Sequence, residues 1–141
     1  MKRDLLISLP AVLCCLALSC GRPGQLPTAK VSGKVTLDGK PVPVGLVIFT
    51  PESGRSASGK IQPDGTYVLE TYDENDGAVL GRHRLGVMAR ETIPGQGPMG
   101  SPKPGPSLIP EHYGSAETSG LSFEVTDNGP HVFNIELSSR N

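Results

Sequence analysis

The feature that most narrows what this chain can fold into is a two-residue rhythm, cut into short lengths by proline and glycine. From residue 31, Val31, Gly33, Val35 and Leu37 alternate with Ser32, Lys34 and Thr36. Successive side chains of a strand point to opposite faces, so this run reads as a strand with one face buried. Asp38 and Gly39 follow, a hairpin pair because both residues tolerate the positive φ of a tight turn. Pro41 and Pro43 lack a backbone N–H, so ladder pairing is expected to resume only near Gly45. Leu46, Val47, Ile48 and Phe49 are apolar without a break and stop before Pro51, as in a central strand covered on both faces.

The rhythm recurs along the chain. A short strand is expected over 59–61, and Pro63, Asp64 and Gly65 form a turn signature. Tyr67 and Leu69 then alternate with Val68 and Glu70, and Leu85 and Val87 with Arg84 and Gly86. Leu121, Phe123 and Val125 alternate with Ser122, Glu124 and Thr126, and after a turn at 127–130 so do Phe133, Ile135 and Leu137 with Asn134 and Glu136. No run shows a helical period, and 18 Gly and 14 Pro disfavour one. About seven short strands with turns between them predict an all-β, antiparallel β-sandwich over residues 31–138.

Residues 91–110 differ in kind: six of the 20 are Pro and four are Gly. The expectation is a structureless Pro/Gly-rich loop that joins no ladder, either a mobile insertion or a docking segment.

The N-terminus reads as an address. Lys2 and Arg3 precede a 14-residue, largely apolar run over 5–18, short of the roughly 20 residues that span a bilayer. Ala17, Leu18, Ser19, Cys20 and Gly21 then resemble the lipobox of bacterial lipoproteins, with Ala17 where Leu is commonest and Leu18 one place later. That resemblance implies a signal peptide over 1–19, cleavage before Cys20, and diacylglyceryl and palmitate-type acyl chains on Cys20. One acyl chain binds a membrane marginally, whereas two or three hold it. Gly21 in place of an Asp after the lipid-bearing cysteine favours the outer membrane by analogy with bacterial sorting. Residues 20–30 then comprise the lipidated Cys20 and a flexible tether, its ten-residue GRPGQLPTAK stretch reaching about 30 Å if extended. Cys14 and Cys15 leave with the leader, so the exported domain is expected to hold by packing without a disulfide.

Charge and composition exclude some functions. The chain has 13 basic and 14 acidic residues, which gives no basic field for nucleic acid. Asp73, Asn75 and Asp76 are the densest group of oxygen ligands, a candidate Ca²⁺ loop, although the EF-hand spacing is broken and a solvated turn is the alternative. His83, His112 and His131 are scattered, without the spacing of a zinc site. Ser53, Ser56 and Ser58 lie in a polar loop without a nucleophile elbow. Tyr72 and Tyr113 are the aromatic residues expected to be exposed, and so the candidate contacts for a sugar ring.

Three segments together carry a resemblance: VSGKVTLDGKPVP at 31–43, VIFTP at 47–51 and PDGTY at 63–67. They resemble the carboxypeptidase regulatory-like domains, with a transthyretin-like (prealbumin-like) sandwich. Residues 76–87 and 109–114 resemble the form found in small bacterial lipoproteins of that type. The resemblance implies an accessory domain with no catalytic residues and no cofactor. Related sandwiches include carbohydrate-binding modules. The hydroxyisourate hydrolase branch relies on a Tyr-Arg-Gly-Ser terminus, whereas this chain ends Ser138, Ser139, Arg140, Asn141. The expectation is a non-catalytic, lipid-anchored envelope or surface module with a scaffolding or binding role. A carbohydrate-binding module is the alternative, and the expected partners are the membrane through Cys20 and an envelope protein or glycan.

Overall fold

The structure, a computed structural model, describes residues 22–140; the expected signal peptide over 1–19 and Cys20 lie outside the described residues. In chain order the first strands are β1 (Thr28–Ala29), β2 (Val31–Leu37), β3 (Lys40–Pro41), β4 (Gly45–Pro51) and β5 (Ala57–Ile61). Next come β6 (Thr66–Val68), β7 (Ala78–Val79), β8 (Gly81–Met88) and β9 (Arg90–Ile93). The last are β10 (Lys103–Ser107), β11 (Ser122–Val125), β12 (His131–Val132) and β13 (Ile135–Leu137). Two short 3₁₀ turns, Pro98–Gly100 and Glu111–Gly114, are the helical elements among the described residues.

The fold is all-β, as the alternation predicts. One sheet has the antiparallel order β11-β8-β4-β5, with Val47 opposite Val87 and Phe49 opposite Leu85. The other is centred on β2, which takes β6 antiparallel with Gly33 opposite Tyr67 and β3 across the Asp38–Gly39 turn. In that turn Asp38 has φ +49° and Gly39 φ +82°, the pair of left-handed residues that a two-residue hairpin loop demands.

Two pairings depart from the expected antiparallel pattern: β12 and β13 run parallel to β2, His131 opposite Val31 and Ile135 opposite Val35. Parallel neighbours need a long crossover connection, and here most of the domain lies between β2 and β12.

Both sheets bury the face that the alternation marked. Val31, Val35, Val47, Phe49, Leu69, Leu85 and Val87 are fully buried. Phe49 lies at the centre, with the rings of His83, Phe123, Tyr67 and Phe133 at 5.7, 6.2, 6.5 and 6.5 Å, the spacing of tilted and edge-to-face aromatic contacts. Burial pushes the Tyr67 phenol well above its usual range, and its hydroxyl donates to the Phe133 carbonyl at 2.6 Å. Gly33 makes room for that arrangement: a Cβ there would lie 1.9 Å from the Phe133 oxygen.

Two further departures concern segments expected to be irregular. The end of the tether is zipped into the domain, with β1 pairing β7 and the Leu26 N–H donating to the Tyr72 hydroxyl at 3.2 Å. The Pro/Gly-rich segment is a β-hairpin arm, β9 with β10, Lys103 opposite Ile93 and Pro104 opposite Thr92. Proline is tolerated because a two-stranded ribbon leaves each strand one open edge, where a missing N–H costs no ladder bond. Pro104 and Pro106 flank Gly105, and the ladder shifts register between Pro104 and Ser107, a bulge that absorbs the mismatch.

Candidate functional site

A hollow lies on the outer face of the β11-β8-β4-β5 sheet. Alternation along β8 turns His83, Leu85 and Val87 inward, where all are fully buried, and leaves Arg82 and Arg84 exposed. Register brings their neighbours alongside. Thr50 of β4 and Ser122 of β11 both lie opposite Arg84, and Glu124 lies opposite Arg82.

Residues 114–121 then cross this face. Gly86 permits the crossing, since a Cβ there would already be 3.3 Å from the Gly114 carbonyl oxygen. The crossing is pinned to β8: the Ser119 hydroxyl donates to the Leu85 carbonyl, and the Leu85 N–H donates to the Leu121 carbonyl at 3.0 Å.

Between the crossing segment and the sheet is a groove of about 420 Å³, lined by Thr50, Glu52, Arg82, Arg84, Glu117 and Ser122, among others. A second hollow of about 270 Å³ adjoins it, sharing Thr50, Ala116 and Glu117. Small-molecule sites span about 300–1,000 Å³. Among the described residues, neither Arg82 nor Arg84 forms an ion pair; the pairs present are Arg22–Asp73 and Arg90–Glu111. Glu117 is held: the Ser115 hydroxyl donates to its carboxylate, and its own N–H donates to the Ser115 oxygen at 3.2 Å. That hydroxyl first, then the backbone amide and Arg84, keep its carboxyl below the usual range.

The residues singled out in the sequence lie elsewhere. Tyr113, expected to be exposed, is only 9% exposed; its hydroxyl accepts from the Ser138 N–H at 3.2 Å, closing one end of the core. Tyr72 is half-buried against Leu26 and borders a different hollow, with Asp73 and Glu74. The two rings therefore form no common platform. In the acidic loop the Asp76 carboxylate accepts the N–H groups of Thr71, Tyr72 and Asp73 at 2.7, 2.9 and 3.1 Å. Partial burial raises its carboxyl, and these amides outweigh that and lower it. Asp73 is drawn away to Arg22 at 2.9 Å, and Asn75 takes the left-handed turn position with φ +56°. The Asp76 oxygens are thus spent on the loop's own backbone and Asp73 on Arg22, and among the described residues no group of three His, Cys, Asp or Glu side chains is placed to hold a metal ion.

Each histidine is occupied locally. His83 Nε2 donates to the Val79 carbonyl at 2.7 Å, while its Nδ1 has no partner among the described residues. The His112 ring packs on Tyr113 at 4.0 Å, and His131 Nε2 is within 3.2 Å of the Thr126 N–H. The alternation sets Arg84 on the face opposite Leu85 and Val87, but nothing local in the sequence marks the groove. The available signal was the Arg82–Arg84 spacing of two; its partners come from residues about 30 positions away on either side. No family model, no curated protein and no solved structure matches the chain.

Proposed function

We propose that this chain is an exported, lipid-anchored, non-catalytic envelope module of the carboxypeptidase regulatory-like, transthyretin-like type, and that its outer-face groove is where it engages another molecule. The observation that carries the binding reading is the groove itself. Two arginines that form no ion pair among the described residues stand beside the hydroxyls of Thr50 and Ser122 on the sheet. Guanidinium groups left free in a concave site are the usual donors for an incoming anionic or hydroxyl-rich partner.

The non-catalytic reading is supported by the engagement of His83 and His131 with nearby backbone and of His112 with Tyr113, so that among the described residues none of them is hydrogen-bonded to Ser53, Ser56 or Ser58. The anchoring reading rests on the lipobox-like sequence ending at Cys20, with membrane attachment through its acyl chains and the outer membrane as the destination.

The test is one preparation read twice. A photo-crosslinking residue at Ser122 in the native membrane-attached protein should capture a discrete envelope component. One at Lys60, on a different strand, should not. Mass spectrometry of the same material should find residues 1–19 absent and acyl groups on Cys20, and Cys20→Ala should release the protein from the membrane fraction. A free Cys20 thiol, or equal capture from both positions, overturns the reading.

A further inference from the structure

The groove's own chemistry narrows what it takes. Its arginines are two residues apart on one face of β8 and offer paired, planar N–H donors, the geometry that suits a carboxylate. Glu52 and Glu117 line the same groove, so its ionic side chains carry no net positive charge. That balance disfavours a dianionic phosphate, which would gain from the arginines and lose comparable energy to the carboxylates. A carboxylate ligand rich in hydroxyls meets both: its anion faces arginine, and its hydroxyls donate to the glutamates. Glu117 is kept ionised, and so an acceptor only, by the Ser115 hydroxyl.

The remaining polar lining includes the hydroxyls of Thr50 and Ser122, which both donate and accept and so match sugar hydroxyls. Leu121 and Ala116 provide an apolar wall. A zwitterionic amino acid or peptide terminus is served less well. Its ammonium would engage a glutamate, but it brings no hydroxyls to match those of Thr50 and Ser122. The lining contains no Tyr or Phe, so a neutral sugar would have neither a stacking platform nor an ionic contact.

We infer that this groove binds the uronic-acid residues of an acidic polysaccharide, the carboxylate on Arg82 and Arg84 and the ring hydroxyls on Glu117, Thr50 and Ser122. This rests on the reading of the groove as the binding site and names its ligand class.

The test is an amide NMR titration of the full chain in detergent micelles with sodium D-galacturonate and its dimer, D-galactose, glycylglycine and inorganic phosphate as separate probes. The uronates should shift the amides of residues 82–84 and 116–122 in a saturable way, the dimer more tightly than the monomer. D-galactose should shift them at least tenfold more weakly. Arg84→Gln should weaken uronate binding at least tenfold, and Arg84→Lys, which keeps the charge but not the fork, should fall between. Unchanged amide dispersion in both variants shows that the fold is kept, because Arg84 is exposed. Saturation by phosphate or glycylglycine at lower concentration than by the uronates overturns the inference, as does equal binding of galactose. If no probe binds while the Ser122 crosslink still captures a component, the ligand assignment fails and the groove remains the binding site. If both experiments are blank, the binding reading fails with it.

Discussion

The centre of the sandwich and the 90–107 arm are both antiparallel pairings of short strands, but they are held by different means. In β4 and β8, Val47, Phe49, Leu85 and Val87 are fully buried, and each pairing also closes the core. In the arm, Arg90, Glu91, Thr92 and Pro104 are exposed and Met99 at the tip is fully so. The arm keeps its backbone bonds and is tied at its base, where Arg90 meets both Glu111 oxygens at 2.8 Å. The contrast teaches that ladder geometry is compatible with a Pro/Gly-rich sequence, whereas stability requires that something be buried behind the ladder.

The largest expected effect comes from opening the buried side. Phe49→Ala removes the ring around which four others are arranged. It should cost about 3–5 kcal/mol by chemical denaturation, enough to threaten folding of a domain this small. A loss below about 1 kcal/mol would mean that the core is not the source of the difference.

Tyr67→Phe keeps the ring and removes the donor to the Phe133 carbonyl, so it should cost about 1–3 kcal/mol, read as a lower midpoint at unchanged slope.

The 71–77 loop sharpens the comparison, because it is ordered with modest burial through the Asp76 carboxylate. Asp76→Asn should cost about 1–2 kcal/mol at neutral pH, since three backbone N–H groups lose charged acceptors. The folded protein holds the Asp76 carboxyl below its unfolded value near 3.8. Its contribution is therefore present above that value and is lost as pH falls through the folded one. Wild type should weaken on acidification below about pH 4, and the variant should lack this part of the slope. Parallel pH curves for the two would remove the carboxylate as the cause.

The smallest effects belong to the arm. Arg90→Ala breaks an exposed ion pair and should cost about 0–1 kcal/mol. Replacing residues 94–102 by Asn-Gly, which joins the paired Ile93 and Lys103 through a two-residue turn, should move stability by less than about 0.5 kcal/mol. A large loss from that deletion would show that the arm supports the core and would erase the contrast.

Much of the sandwich was legible in the chain. The alternation at Tyr67 and Leu69, and at Leu85 and Val87, named residues that are fully buried. The Asp38–Gly39 and Pro63–Asp64–Gly65 turns were legible because their φ requirements are local. In the latter the Gly65 N–H donates to the Gln62 carbonyl at 2.8 Å. The candidate site was not legible. Tyr113 reads as an exposed aromatic in a loop, and only its packing into the core, with its hydroxyl meeting Ser138, explains why it is buried. The acidic loop reads as a ligand cluster, and only its fold-back reveals that Asp76 serves its own backbone.

By itself the sequence determined which side chains face inward and where the chain turns. Those follow from a two-residue period and from the φ that Gly, Asp and Pro permit, and both are properties of neighbouring residues. Tertiary structure alone decided that β13 lies parallel to β2, that Pro104 falls on a strand with a free edge, and that residues 114–121 cross over Gly86 to make the groove beside Arg84. These are pairings between residues from 12 to 100 positions apart, Pro104 with Thr92 at one extreme and Ile135 with Val35 at the other. They are chosen by which arrangement buries the two apolar faces together while leaving each backbone donor and acceptor a partner, a condition that no local window of the chain contains.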